Sequence, residues 1–192
     1  GQSAGDNFGT SVASAGDVKG DGFLDVVVGA WGNDAAGTDA GRAYVYLGGP
    51  SMDTVPDRTF TGQAPGDHFG VDVSSAGDVN GDGYSDVIVG AFGNNAGGTD
   101  AGRAYVYFGG PNADNVADWT LTGAAAFDNF GWAAAGAGDL NGDGYADVIV
   151  GAYANDAGGA DACRADVYFG GPSPDTTPDL TITGQAAGDR LG

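Results

Sequence analysis

An all-β, β-propeller-type repeat of three four-stranded blades, with the start of a fourth, is predicted by three observations. The segments DVKGDGFLD, DVNGDGYSD and DLNGDGYAD begin at Asp17, Asp78 and Asp139, a constant 61 residues apart. Around them recur Phe8-Gly9, Phe69-Gly70 and Phe130-Gly131, then β-branched runs ending in Gly-Ala, then GRAYVYLGGP, GRAYVYFGGP and CRADVYFGGP. No segment has a helical apolar stripe with caps, and all 26 acidic residues are Asp, which favours turns over helices. A fixed period of this length marks a unit that cannot bury its faces alone and stacks on its neighbours.

The units run 1–61, 62–122 and 123–183, and residues 184–192 begin another, with Leu191-Gly192 where the others have Phe-Gly. In the first unit the four strands are expected near Thr10 to Ala15, Asp25 to Ala30, Arg42 to Leu47 and Asp57 to Thr61. The first has small residues throughout, as strands crowding a central axis require. The second, through Val26-Val27-Val28, is a continuous β-branched run, the mark of a strand covered on both faces. The third alternates through Tyr44, Val45 and Tyr46, and the fourth, RTFT, WTLT or LTIT, alternates large apolar groups with Thr.

Between the first two strands lies an acidic loop. Counting from Asp78, oxygens fall at Asp78, Asn80, Asp82 and Asp86, and Gly83 permits the sharp turn, so three side chains and the Tyr84 carbonyl can converge on one hard cation. An EF-hand would place Glu at position 12 between helices; here position 12 is Val28, Val89 or Val150, inside a strand. The reading is a β-framed Ca²⁺ loop, up to three in the chain. The bland alternative is an Asp/Gly turn satisfied by its own hydrogen bonds. Clustered carboxylates in three registered loops favour a counter-cation, and Mg²⁺ demands a stricter octahedron. The first loop departs from the pattern: Lys19 stands where Asn80 and Asn141 supply oxygen. Its site through Asp17, Asp21, the Phe23 carbonyl and Asp25 is expected to be the weakest, or Lys19 partly replaces the ion.

The order FG, then GDxNGDGxxD, then VIVGA closely resembles the FG-GAP repeat of integrin α-subunit propellers and related bacterial surface proteins, over essentially the whole chain. The resemblance implies four-stranded blades of a seven-bladed propeller, an extracellular location and Ca²⁺ in the interstrand loops. By position it implies as ligands Asp78, Asn80, Asp82, the Tyr84 carbonyl and Asp86, then Asp139, Asn141, Asp143, the Tyr145 carbonyl and Asp147. Lys19 and a count of three repeats depart from the family.

Arg42, Arg103 and Arg164 are the basic residues found in every unit, and pairing with Asp39, Asp100 or Asp161 is their expected role. The phenylalanines of the FG pairs are expected to plug the gaps between blades. Trp31, Phe92 and Tyr153 end the second strand, where packing or a stacked sugar would use them. His68, at a position held elsewhere by Asn7, Asn129 and Arg190, reads as an exposed, inert loop residue. Cys163, which replaces Gly41 and Gly102, reads as a small buried filler.

A formal charge of −20 excludes a nucleic-acid backbone as partner, and no run of about 18 apolar residues offers a membrane helix. No Ser/His/Asp or Cys/His constellation recurs and no Glu is present, so no enzyme is expected. The function readings are a secreted, self-assembling structural component, an adhesion module for a protein or glycan ligand, or an accessory propeller of a larger secreted enzyme. Near-identical repeats favour the first. GQSAGDNFG and GQAAGDRLG occupy the same place in the repeat, so contact with further repeats or with other copies is expected.

Overall fold

The computed structural model describes residues 1–188, so Arg190 and the Leu191-Gly192 counterpart of the FG pair lie outside the described residues. Twelve strands and no helix are found among them. The first blade is β1 (Val12–Gly16), β2 (Asp25–Ala30), β3 (Arg42–Tyr46) and β4 (Arg58–Thr61). The second is β5 (Val73–Gly77), β6 (Asp86–Ala91), β7 (Arg103–Tyr107) and β8 (Trp119–Thr122). The third is β9 (Phe130–Gly138), β10 (Asp147–Ala152), β11 (Arg164–Tyr168) and β12 (Leu180–Thr183). Each blade is an antiparallel meander in chain order, and the first strands of adjacent blades pack together as their small residues require.

The third and fourth strands begin or end a residue short of expectation. The Asp57 carboxylate accepts the Leu47 N–H at 2.8 Å, which takes both residues out of the ladder, and Asp118 and Asp179 repeat the bond to Phe108 and Phe169. The first strand starts late in blades 1 and 2 because polar side chains compete for the backbone. Thr10 Oγ1 donates to the Asn7 carbonyl at 3.0 Å, and Asp72 accepts from Ser11 Oγ at 2.9 Å and from the Val73 N–H at 3.1 Å. In blade 3 these places hold Trp132 and Ala133, which lack such groups, and β9 starts at Phe130.

The core lies between blades, in two clusters. One joins Val27, Val45 and Phe60 of blade 1 to Val87, Val89, Tyr105 and Tyr107 of blade 2; the other joins Ile88, Val106 and Leu121 to Val148, Val150 and Tyr168. Phe69 and Phe130 are wholly buried in these seams, as plugs, whereas Phe8, on the outer face of blade 1, is 40% exposed. The FG and GA motifs are the two halves of one contact. A Cβ on Gly29 or Gly90 would lie 2.0 Å from the carbonyl oxygen of Gly70 or Gly131 in the following blade, so only glycine lets the backbones approach there.

The expected arginine pairing is not found. Arg42 and Arg103 donate to Gln2 and Gln63, the glutamines at the start of their own units, at 3.1 and 3.3 Å, while Arg164 chelates Asp166 at 2.8 and 2.9 Å. Asp39, Asp100 and Asp161 instead sit at positive φ and anchor their loop by backbone N–H donation to Asp34, Asn95 and Asp156.

Candidate metal centre and aromatic cleft

Each acidic loop leaves the first strand through a bulge. The register slips between Ser14 and Gly16, between Ser75 and Gly77, and beside Asp147, and Gly16, Gly77 and Gly138 take positive φ there, which turns the chain into the loop. The opening aspartate then winds the loop about itself. Asp78 accepts the N–H groups of Gly81, Asp82 and Gly83 at 2.7, 3.1 and 2.9 Å. Asp17 and Asp139 do the same with Gly20, Asp21 and Gly22 and with Gly142, Asp143 and Gly144.

The middle positions are equally regular. Asn80 Oδ1 accepts the Asp82 N–H while its Nδ2 donates to Asp82, and Asp82 accepts the Tyr84 N–H at 3.0 Å; Asn141, Asp143 and Tyr145 repeat the set. In the first loop, Lys19 Nζ sits 2.9 Å from Asp21, the carboxylate that follows it. This hydrogen bond, the largest effect on either group, holds the Asp21 carboxyl below its usual range and raises the Lys19 ammonium. Asp21 also accepts the Phe23 N–H at 3.2 Å.

The ninth-position aspartates are buried clamps. Asp86 accepts the Val79 N–H and the Gly109 N–H, both at 2.9 Å, tying the loop to the Gly-Gly-Pro turn after β7. Asp25 makes the same bonds to Val18 and Gly48, and Asp147 to Leu140 and Gly170. Burial pushes the Asp86 carboxyl up to about 7; the two N–H donors oppose the rise, and the charges of Asp82 and Asp78 add to it.

Among the described residues no three His, Cys, Asp or Glu side chains converge closely enough to hold an ion by themselves, so an ion here would also draw on Asn amide oxygens and main-chain carbonyls. The donors are all hard oxygens, the set Ca²⁺ prefers. A cation would offset the charges of Asp82 and Asp78, which add to the rise that burial imposes on Asp86. By their donors loops 2 and 3 fit such an ion, the charge argument adds to this in loop 2, and loop 1, with its ammonium, fits it less well.

Sequence reading missed that neighbouring loops touch. The Ser85 N–H donates to the Asp17 carbonyl at 3.1 Å and the Ala146 N–H to the Asp78 carbonyl at 2.9 Å, while Gly110 and Gly171 donate to Val18 and Val79. The Tyr84 ring lies where a Cβ on Gly20 would be, and the Tyr145 ring does so at Gly81. The only hint in the sequence was the recurrent Gly and Tyr at fixed offsets.

Five rings make a continuous run across all three blades: Trp31, Phe92 and Tyr153 just after the second strands, His68 in the segment before β5, and Trp132 in β9. Trp31 and His68 lie 5.4 Å apart, His68 stacks on Phe92 at 4.6 Å, Phe92 meets Trp132 at 4.7 Å, and Trp132 stacks on Tyr153 at 5.3 Å. His68 is therefore half-buried between two rings, correcting its reading as an exposed loop residue. Beside the run lies a cleft of about 450 Å³, lined also by Thr10, Ser11 and Asp72. Cys163 is buried, as a filler should be, with φ 65 and its thiol donating to the Tyr153 carbonyl.

Two FG-GAP repeat models match the chain, one over residues 69–107 and 130–168 and the other over residues 1–46. Integrin alpha-5 of Xenopus laevis is 34% identical over 187 residues, covering 92% of this chain and 17% of its own length. Integrin alpha-PS2 of Drosophila melanogaster is 34% identical over 171 residues, 81% of this chain and 12% of its own. Integrin alpha-IIb of Mus musculus is 36% identical over 160 residues, 76% and 15%. The chain thus spans less than a fifth of the length of these relatives.

Proposed function

The chain belongs to the FG-GAP repeat family, and on that premise we propose that it is a non-catalytic, extracellular, Ca²⁺-braced scaffold whose end faces stack on further blades of its own kind. The carrying observation is the unsatisfied face of blade 1. Phe8, Tyr44, Tyr46 and Pro56 line a cleft of about 470 Å³ there. One repeat later their counterparts Phe69, Tyr105, Tyr107 and Ala117 share a packed cluster with Phe60. Val12 is 62% exposed where Val73 is 2% exposed, and at the other end Ile182 is 50% exposed where Phe60 and Leu121 are fully buried. Leaving such faces in water costs about 25 cal/mol for each Å² of apolar area.

For the chain alone, the blade that fills the cleft is the third blade of a second copy, Ile182 and Leu180 entering beside Tyr46. Head-to-tail contact of this kind gives a ring if the rotation closes and a filament if it does not. Cys163 restricts it. A Cβ on Gly41 or Gly102 would stand 2.1 or 2.0 Å from the Phe69 or Phe130 carbonyl, and Cys163 carries a Cβ at that place. Sedimentation in calcium buffer should therefore find particles larger than 18.8 kDa, and Cys163→Gly should tighten association about tenfold, or about 1.4 kcal/mol. A stable 18.8 kDa particle for both proteins would remove the assembly reading.

Within this reading Asp78, Asn80, Asp82 and Asp86, and Asp139, Asn141, Asp143 and Asp147, with the Tyr84 and Tyr145 carbonyls, hold the two stronger ions. Asp17, Asp21, Asp25 and the Phe23 carbonyl hold the weakest. Bound Ca²⁺ supplies charge neutralisation and fixes the loop; the protein supplies its oxygens and the contacts to the next blade. Lys19→Asn should raise the affinity of the first loop at least about tenfold, since a unit positive charge ~4 Å from a divalent cation costs about 2 kcal/mol even in water. Isothermal titration with three equal wild-type sites would contradict this.

A second reading, ligand recognition in adhesion, is favoured by the integrin alpha relatives and by the aromatic cleft. Repeats kept alike for stacking do not explain a run of rings that differ from blade to blade.

A further inference from the structure

We propose that the cleft between the three blades is a carbohydrate-binding site for a neutral oligosaccharide, which names the ligand class within the recognition reading and needs no assembly. The repeats are nearly alike, yet they diverge at this cleft. Asp72 stands where the other repeats have Ser11 and Ala133; Trp132 stands where they have Thr10 and Val71; His68 stands where they have Asn7 and Asn129; Trp31, Phe92 and Tyr153 are three different rings at one position. A symmetric scaffold has no need of such variety, whereas a site for one ligand does.

The chemistry selects the ligand. A pyranose presents a flat patch of C–H bonds ringed by hydroxyls, so it is held by aromatic plates and a few fixed hydrogen-bonding groups. The cleft, about 450 Å³, is of the size that holds a small ligand. Trp132 is 42% exposed, stacks with Tyr153 and meets Phe92 at a tilt, so its indole is held in place with part of its surface open to solvent. Asp72 is fixed by three donors from three blades: Ser11 Oγ at 2.9 Å, the Val73 N–H at 3.1 Å and the Ala134 N–H at 2.9 Å. Its charge is thereby partly satisfied, and its remaining lone pair accepts from a sugar hydroxyl as a preset acceptor. Thr10 and Ser11 supply further hydroxyls on the same rim. A cationic guest would want enclosure by rings and an unshared carboxylate; here the rings form an open run, since Trp31 and Tyr153 at its ends each meet one other ring.

The test uses the calcium-loaded chain against a panel of immobilised neutral oligosaccharides of glucose, galactose, mannose and N-acetylglucosamine. Binders are then titrated in solution by tryptophan fluorescence, with oligomeric state recorded alongside. At least one should bind with a sub-millimolar Kd that is unchanged between low and high salt, as a neutral ligand requires. Trp132→Ala should weaken it at least about tenfold, and Trp132→Phe should restore most of the loss, with both variants keeping the parent's circular dichroism. Choline and a short oligoarginine peptide form the contrasting arm. Absence of binding across the panel, unchanged affinity in Trp132→Ala, or stronger, salt-sensitive binding of either cation would overturn the proposal, whatever the sedimentation result.

Discussion

Phe60→Ala should lower the free energy of unfolding by about 3–5 kcal/mol, while Ile182→Ala, at the same place in the repeat, should cost under about 1 kcal/mol in the dissociated chain. Phe60 is fully buried and its ring stacks on Tyr107 at 3.8 Å with 14° between planes, a contact that crosses from blade 1 to blade 2. Removing the ring costs its transfer energy and leaves a cavity, because Val45, Val87 and Tyr105 around it belong to rigid sheets and close it only partly. With one core cluster at each seam, this loss falls on half of the molecule's packing. At roughly 2–4 °C for each kcal/mol in a chain of this size, the melting temperature should fall by roughly 10 °C. Ile182 has the same strand position but half its surface in water, so its side chain contributes little until another blade covers it. Urea titration at low and high protein concentration separates the two residues. Equal costs at high dilution would mean that the end face is already covered, and the packing account would have to be withdrawn.

The period, the four strands and the seam-plugging phenylalanines were legible because the chain repeats its own pattern, and a β-branched run such as Val87-Ile88-Val89 is the mark of a strand covered on both faces. The FG and GA motifs were legible as positions but not as partners, since Gly29 and Gly70 meet only once two blades are set face to face. The same limit hid the aromatic run: Trp31, His68 and Phe92 come together through the angle between blades, which no local pattern encodes. Arg42 and Arg103 were misassigned because the glutamines they reach lie 40 residues earlier in the chain, while the nearer aspartates were already committed to their own loop. Asp86 showed its acidity in the sequence but not its burial; its two N–H donors come from the loop start and from a turn 23 residues on.

Removal of calcium should produce the largest change of any treatment. A ligand present at 100 times its dissociation constant stabilises the fold by about 2.7 kcal/mol for each site, so two loops loaded as proposed would contribute about 5 kcal/mol before the first loop is counted. A drop in melting temperature on the order of 10–20 °C follows for a chain of this length. The loss should also be cooperative. The second loop donates its Ser85 N–H to the Asp17 carbonyl, the third donates its Ala146 N–H to Asp78, and Tyr84 and Tyr145 pack on the glycines of the preceding loop. A loop that loosens therefore removes support from its neighbour in the adjoining blade. Without a cation, the buried Asp86 carboxyl bears the added charges of Asp82 and Asp78 on top of its burial, and a bound cation would offset those charges. Asp82→Ala and Asp143→Ala should each reproduce more than a proportionate share of the loss caused by EDTA, because each unties one loop and slackens another. Lys19→Asn should move the calcium-loaded melting temperature upward and leave the chelated one nearly unchanged. Calorimetry with and without EDTA decides the matter: a melting temperature indifferent to calcium would mean that the loops are held by the hydrogen bonds of Asp17, Asp78 and Asp139 alone.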